Sequence, residues 1–244
     1  MNVEEYERMY RLEDSYWWFV GRHNLVLGFL RAQYGSRSDL TVLDIGCGTG
    51  AMSQKLEQFG TVISADFSPL ALSYSKRRDL HHLCASDAMQ LPFRDSSFDI
   101  IVALDILEHV RDDEAALREF YRVLKPGGRV VATVPAYQSL WSSHDVALMH
   151  FRRYVAAELR SRFVDAKLRI QKLSYAMTLL YPVVWLFRKL LARETDKDKA
   201  KASLVAVPGF VNMLLVALLA GENAVLRRVS LPFGVTVFCM AERP

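Results

Sequence analysis

Cysteine is scarce in this chain of 244 residues. Its three cysteines, Cys47, Cys84 and Cys239, form no C-x-x-C pair and show no spacing typical of metal ligands. Small secreted domains that depend on disulfides carry many more cysteines, usually in an even number. The scarcity therefore excludes a disulfide scaffold and a cysteine-based metal site, and it favours a reduced, intracellular setting.

An apolar targeting segment and a strong charge of one sign are also lacking. Residues 1–13 are acid-rich without an apolar stretch, so we expect a cytoplasmic protein. The net charge is only +4, and no basic face interleaved with aromatic residues stands out, so nucleic acid is not expected as a partner. The apolar share of 51% is enough for the core of one large α/β domain.

A glycine-rich stretch organises the rest of the chain. Residues 41–50 read TVLDIGCGTG, which is a short apolar run, an acid and three glycines. This pattern predicts a buried strand, a tight turn and a helix that begins near Ala51. Glycine allows positive φ and close approach of a ligand, and a helix start offers free N–H groups. The stretch therefore predicts a site for a nucleotide-like molecule.

Two cofactor classes fit this turn. Gly46, Gly48 and Ala51 match the dinucleotide pattern G-x-G-x-x-A, in which a pyrophosphate lies at the helix start. Asp44 favours another ligand, because a carboxylate two residues before the first glycine repels a pyrophosphate and attracts an ammonium group. S-adenosylmethionine carries an ammonium and a sulfonium but no phosphate. A NAD-type oxidoreductase remains the alternative.

Residues 42–50 (VLDIGCGTG) resemble the first motif of class I S-adenosylmethionine-dependent methyltransferases. The resemblance continues through Asp87-Ala88, residues 91–99, the LEHV of residues 107–110 and the KPGG of residues 125–128, and it is strong over residues 40–135. It implies S-adenosylmethionine as the cofactor. The residues that we expect to bind it are Arg22, Asp44, Gly46, Cys47, Gly48, Gly50, Asp66, Phe67, Ser68, Asp87, Ala88, Leu104 and Asp105.

Two acids in this set have particular roles. Asp66 ends the second predicted strand, 22 residues beyond Asp44, where an acid in doubly wound sheets accepts hydrogen bonds from ribose hydroxyls. Both cofactor classes contain that ribose, so Asp66 does not choose between them. The resemblance implies that Asp87 receives the adenine amino group, with a simple loop or cap residue as the alternative.

Five strands that alternate with helices predict an α/β, doubly wound sheet. The resemblance implies a seven-stranded, mostly parallel, Rossmann-like sheet with its last strand antiparallel. We divide the chain into an N-terminal helical cap (1–36), an S-adenosylmethionine-binding core (37–174), an apolar helical insertion (175–230) and the last strand of the core (231–244).

Aromatic residues precede the first strand. The run 16–19 (YWWF) is followed by Gly21 and Arg22, and then by a predicted helix over residues 24–34. The resemblance implies that such a segment closes over the cofactor. The planar guanidinium group of an arginine can bind both oxygens of a carboxylate. We expect Arg22 at the cofactor's carboxylate and Trp18 beside the acceptor. A helix that only packs on the sheet is the other interpretation.

Polar residues after the fifth strand form the candidate acceptor pocket. Histidine takes protons near neutral pH, so the candidate bases are, in order, His150, His144 and His109. Loop residues that only cap one another are the alternative. We predict no metal site, because His144 and His150 lie six positions apart without a convergent partner. The residues that we expect to bind the acceptor are Trp18, Tyr137, Asp145, Arg152, Arg153 and Tyr154.

The predicted insertion contains two apolar runs, 175–191 and 204–220, separated by a charged segment. Neither run cleanly reaches the ~20 residues that span a bilayer. Three interpretations remain open: a lid or a contact with a second copy of the chain in a homodimer, a helical pair at the inner face of the membrane, or an enlarged core. The cations that would meet lipid headgroups are Arg188, Lys189, Arg193, Lys197, Lys199, Lys201, Arg227 and Arg228.

These patterns together predict an S-adenosylmethionine-dependent methyltransferase. We expect in-line transfer to a small-molecule acceptor, glycan or lipid-linked, with oxygen favoured over nitrogen or carbon as the target atom. Two alternatives remain open, the NAD-type oxidoreductase and a non-catalytic binding protein on a methyltransferase fold.

Overall fold

Seven strands form one sheet in the computed structural model, which describes residues 3–191 and 207–244. The sheet order is β3-β2-β1-β4-β5-β7-β6, and β7 is antiparallel to both of its neighbours, whereas the other pairs are parallel. The predicted doubly wound, mostly parallel sheet with an antiparallel last strand is confirmed. The strands are β1 Leu40–Ile45, β2 Gly60–Asp66, β3 Leu83–Ala85, β4 Phe98–Leu104, β5 Leu124–Pro135, β6 Arg169–Ala176 and β7 Thr236–Glu242.

Helices cover both faces of this sheet. Two of them precede β1, and two lie between β6 and β7. Short 3-10 turns at Glu57–Phe59, Leu107–His109 and Gln138–Leu140 complete the described structure. The helices are α1 Val3–Leu12, α2 Trp17–Tyr34, α3 Ala51–Leu56, α4 Pro69–Arg77, α5 Asp113–Val123, α6 Ser143–Ala147, α7 Ala156–Asp165, α8 Tyr181–Leu191 and α9 Gly209–Leu226.

Strand β4 shows why the sheet is buried on both faces. Successive side chains of a strand point to opposite faces. Ile101 and Ala103 belong to the core cluster that contains α5 and α7, whereas Ile100 and Val102 belong to the cluster that contains α2 and α3. All four are fully buried, which explains why β4 reads as a continuous apolar run.

The sheet order reverses between β1 and β4. The chain runs outward from β1 to β2 and β3, and after β4 it runs the other way to β5. In open α/β sheets the crevice at such a reversal, outside the carboxyl ends of the strands, is where ligands bind. The glycine turn after β1 and the segment after β4 therefore meet at one edge.

Helix α2 begins at Trp17, seven residues before the predicted start at Asn24, so the aromatic run is helical. Gly21 precedes the helix predicted over residues 24–34. In the structure it lies inside α2, where a Cβ would meet Leu219 Cδ1 of α9 at 2.3 Å. The glycine allows α2 and α9 to pack closely, and no pattern near Gly21 in the sequence predicts this contact.

Polar residues attach α9 to the rest of the molecule. The Asn223 side chain donates to Gly21 O (3.0 Å), and Asn212 accepts from Trp17 N (2.9 Å). Glu222 accepts from the backbone N–H groups of Thr178 and Leu179 just before α8. Asn212 and Asn223 thus fasten α9 along α2, and Glu222 fastens it to the segment before α8.

Candidate functional site

One cavity of about 960 Å³ lies at the carboxyl edge of the sheet. Its wall combines the glycine turn, the ends of β2 and β4, residues of α1 and α2, the three predicted histidines and part of α8. Ligand pockets span ~300–1,000 Å³, so this volume lies at the upper end of that range. The cavity has room for two molecules side by side.

The glycine turn adopts backbone conformations that require glycine. The φ values of Gly46, Gly48 and Gly50 are +73°, +57° and +89°. A Cβ on Gly48 would meet the Cε atom of Met9 at 2.7 Å, so the turn leaves a cradle beneath α1. Gly46 and Gly48 lie in the cavity wall, whereas Gly50 is the N-cap of α3 and lies outside it.

Two predicted carboxylates lie at this turn. Asp44 accepts from the Ser53 hydroxyl at 2.6 Å, and burial raises its pKa to about 6. Asp66 accepts from the backbone N–H groups of Gly48 (2.9 Å) and Ser68 (2.8 Å). Each carboxylate oxygen has more than one lone pair, so Asp66 can still receive ribose hydroxyls while it holds the turn in place.

The other predicted cofactor residues line the same wall, although their local roles differ. Phe67 is 77% exposed beside β2, and Ser68 caps the start of α4. Asp87 accepts from Met89 N at 2.8 Å, which fixes the loop after β3. The remaining wall residues from the prediction are Cys47, Ala88 and Leu104.

Arg22 forms an ion pair with Asp105. Asp105 has φ +51° and also accepts from the Thr133 hydroxyl at 2.9 Å. The prediction placed Arg22 at a cofactor carboxylate, and in the structure one of its nitrogens binds a protein carboxylate instead. Its Nε is buried without a partner, so the guanidinium keeps a donor for a second acceptor.

Glu13 is a site residue that the sequence analysis missed. Its Oε2 accepts from Ala51 N (3.1 Å) at the start of α3, and its Oε1 is buried without a partner. Burial raises the pKa of Glu13 to about 7. His23, also in the wall and also missed, has its pKa lowered by burial to about 3. Both reach the cavity only through tertiary packing, so no local pattern marks them.

The three candidate bases come together in the wall. The ring centroids of His109 and His150 are 4.6 Å apart, and those of His144 and His150 are 6.3 Å apart. Burial lowers the pKa of both His109 and His144 to about 3, so both are neutral near pH 7. The Nδ1 atom of His150 lies 2.9 Å from Asp145 Oδ1.

Asp145 holds this histidine group from behind. It accepts from Arg153 Nε at 2.7 Å and pairs with Arg188 Nη1 at 3.4 Å. Burial alone would raise the pKa of Asp145, but the hydrogen bond to His150 and the charge of Arg153 outweigh it and hold the pKa well below its usual range. Asp145 is fully buried behind the wall, so it positions His150 and does not meet the acceptor as we predicted.

Three more of the predicted acceptor residues lie outside the wall. Tyr137 stacks on Tyr175 with ring centroids 5.1 Å apart. Tyr154 is fully buried and donates to Asp113 at 2.8 Å, and Arg152 pairs with the same carboxylate at 3.2 Å. The polar groups of Tyr154 and Arg152 thus bind the buried carboxylate of Asp113. This corrects the expectation that they contact the acceptor. Trp18 and Arg153 do line the cavity.

Glu108 was not predicted as a site residue, although it belongs to the LEHV motif. It is fully buried in the cavity wall, and neither carboxylate oxygen has a hydrogen-bond partner. Burial, followed by the charge of Asp105, raises its pKa well above its usual value. Ligand atoms of Glu108, His109 and His150 all lie within 4.8 Å of one another. The convergent partners that the sequence did not show for His150 thus come from a distant segment.

S-adenosylmethionine fits these residues, whereas a dinucleotide does not. Glu13 Oε1 and Arg22 Nε, two of the buried unpartnered atoms in the cavity wall, complement the ammonium and the carboxylate of an amino acid. A pyrophosphate would lie at the start of α3, where the Glu13 carboxylate already accepts from Ala51 N. The site therefore favours the sulfonium cofactor.

Comparison with known proteins agrees with this geometry. A family described as "Methyltransferase domain" matches residues 43–132. The demethylmenaquinone methyltransferase of Streptomyces griseus is 39% identical over 114 residues, which are 46% of this chain and 50% of that protein. The ubiquinone/menaquinone biosynthesis C-methyltransferase UbiE of Vibrio vulnificus is 36% identical over 144 residues, 53% of this chain and 55% of that protein. The chain thus spans about half the length of these curated relatives.

Solved structures share the fold over a longer part of the chain. A methyltransferase solved in complex with the Trm112 activator of Haloferax volcanii has a TM-score of 0.61, with 21% identity over 99% of this chain and 94% of that one. Haemonchus contortus phosphoethanolamine N-methyltransferase 2, solved with S-adenosyl-L-methionine, has a TM-score of 0.59, with 20% identity over 91% of this chain and 52% of that one. The chain therefore carries a methyltransferase domain over residues 43–132, and it shares the fold of S-adenosylmethionine-dependent methyltransferases over most of its length.

Proposed function

We propose that this protein methylates a small apolar or lipid-linked acceptor, with a hydroxyl oxygen as the favoured target. The observation that carries the proposal is the single cavity that joins the glycine turn to the histidine group. The cofactor end is built from carboxylates and glycines, and the opposite end from histidines and apolar side chains. Two chemically different molecules would therefore lie in one enclosure.

The residues of the cofactor end would bind and orient. Asp66 would receive the ribose, and Glu13 and Arg22 the amino-acid end. S-adenosylmethionine, when bound, supplies a methyl group on a positively charged sulfur. Holding an acceptor in line with such a group provides much of the rate of a transfer reaction.

The residues of the acceptor end would handle the acceptor's proton. A hydroxyl is a weak nucleophile until its proton leaves. The lowered pKa of His109 and His144 makes them weak bases, so His150 would accept the proton. Asp145 orients His150 through Nδ1. This pairing resembles the orientation of a catalytic histidine by a buried carboxylate.

Apolar walls support a hydrophobic acceptor. Trp17, Trp18, Val183, Val184 and Leu215 line the cavity on the side of α2, α8 and α9. The relatives named as demethylmenaquinone and ubiquinone/menaquinone methyltransferases point to the same class, a ring with a lipid tail. One of those relatives is named a C-methyltransferase, so carbon is the competing target atom.

A membrane surface is the source of the acceptor in this proposal. Helix α9 has the length and composition of a membrane-spanning helix, with a mean hydropathy of 1.7, and only 22% of it is buried. Its contacts with α2 and the return of the chain into β7 support a helix that lies on the lipid surface rather than crossing it. Its exposed apolar side chains include Phe210, Met213, Leu214, Leu218 and Val225.

The cations predicted for lipid headgroups fall into three groups. Arg227 and Arg228 are exposed just after α9. Arg188 faces inward instead, because its guanidinium binds Leu140 O and Asp145. The Lys189 side chain, Arg193, Lys197, Lys199 and Lys201 lie outside the described residues.

Calorimetry and isotope transfer test the function. We expect the purified protein to bind S-adenosylhomocysteine in the micromolar range and to show no binding of NAD. Incubation with methyl-labelled S-adenosylmethionine and a polar-to-apolar series of hydroquinones and polyprenyl-linked glycans should label the apolar acceptors. Mass spectrometry then locates the methyl on oxygen or carbon. Tight NAD binding without S-adenosylhomocysteine binding would overturn the proposal.

A further inference from the structure

We propose that Glu108, His109 and His150 bind a divalent transition-metal ion at the acceptor end of the cavity. The starting observation is Glu108, whose two carboxylate oxygens are buried without a partner. A buried carboxylate without a hydrogen bond or a counter-charge is strongly unfavourable. Native proteins keep such a group where a ligand completes it.

The three residues converge from two segments of the chain. Glu108 and His109 lie in the 3-10 turn after β4, and His150 follows α6. The N–H of Phe151 donates to Glu108 O at 2.8 Å and ties the segments together. The three ligand atoms lie within 4.8 Å of one another, close to twice the ~2.0–2.2 Å distance between a metal ion and its nitrogen or oxygen ligands. Small side-chain rotations would bring them onto one ion.

Asp145 supplies the outer support that metal-binding histidines require. Such a histidine almost always donates its second ring N–H to a carboxylate or carbonyl, which fixes its tautomer and orientation. His150 Nδ1 lies 2.9 Å from Asp145 Oδ1, so Nε2 is the nitrogen left for the ion. A carboxylate that is itself held by Arg153 and Arg188 makes this orientation rigid.

The cationic side chains around the cluster already have partners. Arg22 pairs with Asp105, and Arg153 binds Asp145 and Ala136 O. Within residues 3–191 and 207–244, Glu108 forms no ion pair. A cation from solution would therefore meet a buried carboxyl group without a hydrogen-bond or ion-pair partner, and two imidazoles.

The ligand set indicates which ions would bind. Two imidazoles and one carboxylate with open positions suit Mn²⁺, Fe²⁺, Co²⁺ or Zn²⁺, whereas Mg²⁺ and Ca²⁺ prefer oxygen ligands throughout. The open positions would point into the cavity, because all three residues line it.

The binding of the ion does not depend on the proposed function, but the role of the ion in the reaction rests on it. A hydroxyl oxygen bound to a divalent cation loses its proton far more readily than a free hydroxyl. The O–H bond breaks, the electron pair stays on the bound oxygen, and the proton passes to solvent water. In this arrangement His109 and His150 bind the ion and do not accept the proton. The ion itself activates the acceptor.

Cobalt absorption spectroscopy tests the site on the full chain after chelator treatment and dialysis. We expect Co²⁺ to give a visible d–d absorption band that saturates at one ion per chain and is lost on competition with Zn²⁺. Glu108→Gln keeps the shape of the side chain and removes its charge, and we expect its dissociation constant for Co²⁺ to rise at least ~100-fold, beyond the 10–100-fold typical of losing an outer partner. His150→Gln should have a similar effect, so one failed variant does not block the test.

The matched control is His82, an exposed histidine in a different segment of the chain, just before β3. His82→Gln should bind Co²⁺ like the wild type. S-adenosylhomocysteine affinity is measured on the same samples. A wild-type protein that binds this cofactor product but gives no saturable Co²⁺ band overturns the metal site alone. Cobalt binding without cofactor binding overturns the proposed function alone. Equal Co²⁺ affinity of wild type, Glu108→Gln and His150→Gln also overturns the site.

Discussion

The two ends of the cavity satisfy their polar groups in different ways. At the cofactor end Asp44, Asp66 and Asp87 each accept a hydrogen bond from a residue within 18 positions in sequence. At the acceptor end His150, which Asp145 holds, meets Glu108 and His109 from a segment about forty residues earlier. The local partners of these three acids can be read from the sequence, whereas the distant partners at the acceptor end, and those of Glu13 and Arg22 at the cofactor end, cannot.

The difference also concerns burial. The cofactor end uses backbone N–H groups of a turn, which any chain with the right glycines presents in the same way. The acceptor end uses titratable side chains, of which Glu108 and Asp145 are fully buried, and their protonation depends on their neighbours. A fold can therefore keep one cofactor while its acceptor end changes chemistry.

The largest effect is expected where the acceptor end is held together. Asp145→Asn removes the charge that compensates Arg153, and breaking such a buried pair lowers the free energy of unfolding by ~3–5 kcal/mol. In a chain of this size that shift lowers the melting temperature by roughly 6–20 °C. Differential scanning calorimetry measures it. Asp95→Asn, which breaks a surface pair with Arg122, is the control and should change little. Equal melting temperatures of the two variants would contradict the prediction.

The next effect tests the cofactor end. Asp66→Ala removes a charged acceptor for the ribose and the support of Gly48 N. Hydrogen bonds to charged groups contribute ~1.5–3 kcal/mol each, so S-adenosylhomocysteine should bind ~100-fold more weakly or worse by calorimetry. The control Asp39→Ala removes an exposed acid just before β1, and it should bind S-adenosylhomocysteine with wild-type affinity. Unchanged affinity in Asp66→Ala would remove this residue from the site.

A smaller, pH-dependent effect should separate Asp44 from Glu13. The pKa of Asp44 is about 6 and that of Glu13 about 7, both raised by burial. Binding of an ammonium requires the ionised carboxylate, so the ligand must displace a proton below that pKa. Affinity for S-adenosylhomocysteine should fall about tenfold per pH unit as pH falls below 6 if Asp44 is the partner, or below 7 if Glu13 is.

Calorimetry between pH 5 and 8 with Asp44→Asn and Glu13→Gln distinguishes the two. The variant of the true partner should show a flat profile, and the other should keep the wild-type slope. A steep profile in both variants would show that neither carboxylate meets the ammonium.

The stability of the folded chain should also depend on Glu13. Its folded pKa of about 7 exceeds the unfolded value, so the folded state holds a proton that the unfolded state has released between pH 4.5 and 7. The contribution of Glu13 is therefore fully present below pH 4.5 and lost as pH rises through 7. Glu13→Gln should flatten this loss in urea unfolding measured at pH 5 and pH 8. An identical pH dependence in the variant would contradict the assignment.

The smallest effect concerns the exposed face of α9. Phe210→Glu with Met213→Glu should reduce sedimentation with anionic liposomes at low salt by about tenfold, because both side chains are about two-thirds exposed. Val164→Glu, at an exposed apolar position of α7, is the control. Complete recovery of wild-type protein in the supernatant would end the membrane proposal while leaving the methyltransferase assignment intact.

Sequence reading predicted the elements around the glycine turn well. It predicted a strand that begins near Thr41, a helix that begins near Ala51 and a second strand that ends at Asp66, and β1, α3 and β2 lie at these positions. It failed where a distant contact overrides a local signal. Gly21 lies inside a helix, where Leu219 packs on it, and Tyr154 is fully buried, where its hydroxyl donates to Asp113. Glu13 and Glu108 reach the cavity through packing that has no local signature.

The sequence alone determined the doubly wound core and the class of its cofactor. Alternating apolar strands and a glycine turn are local patterns, and their physical consequences extend over only a few residues. Tertiary structure decided which polar residues face the cavity and which support it from behind. Arg22 binds Asp105, Asp145 supports His150, and Glu108 joins two histidines, because a buried charge takes whichever partner the fold brings within reach.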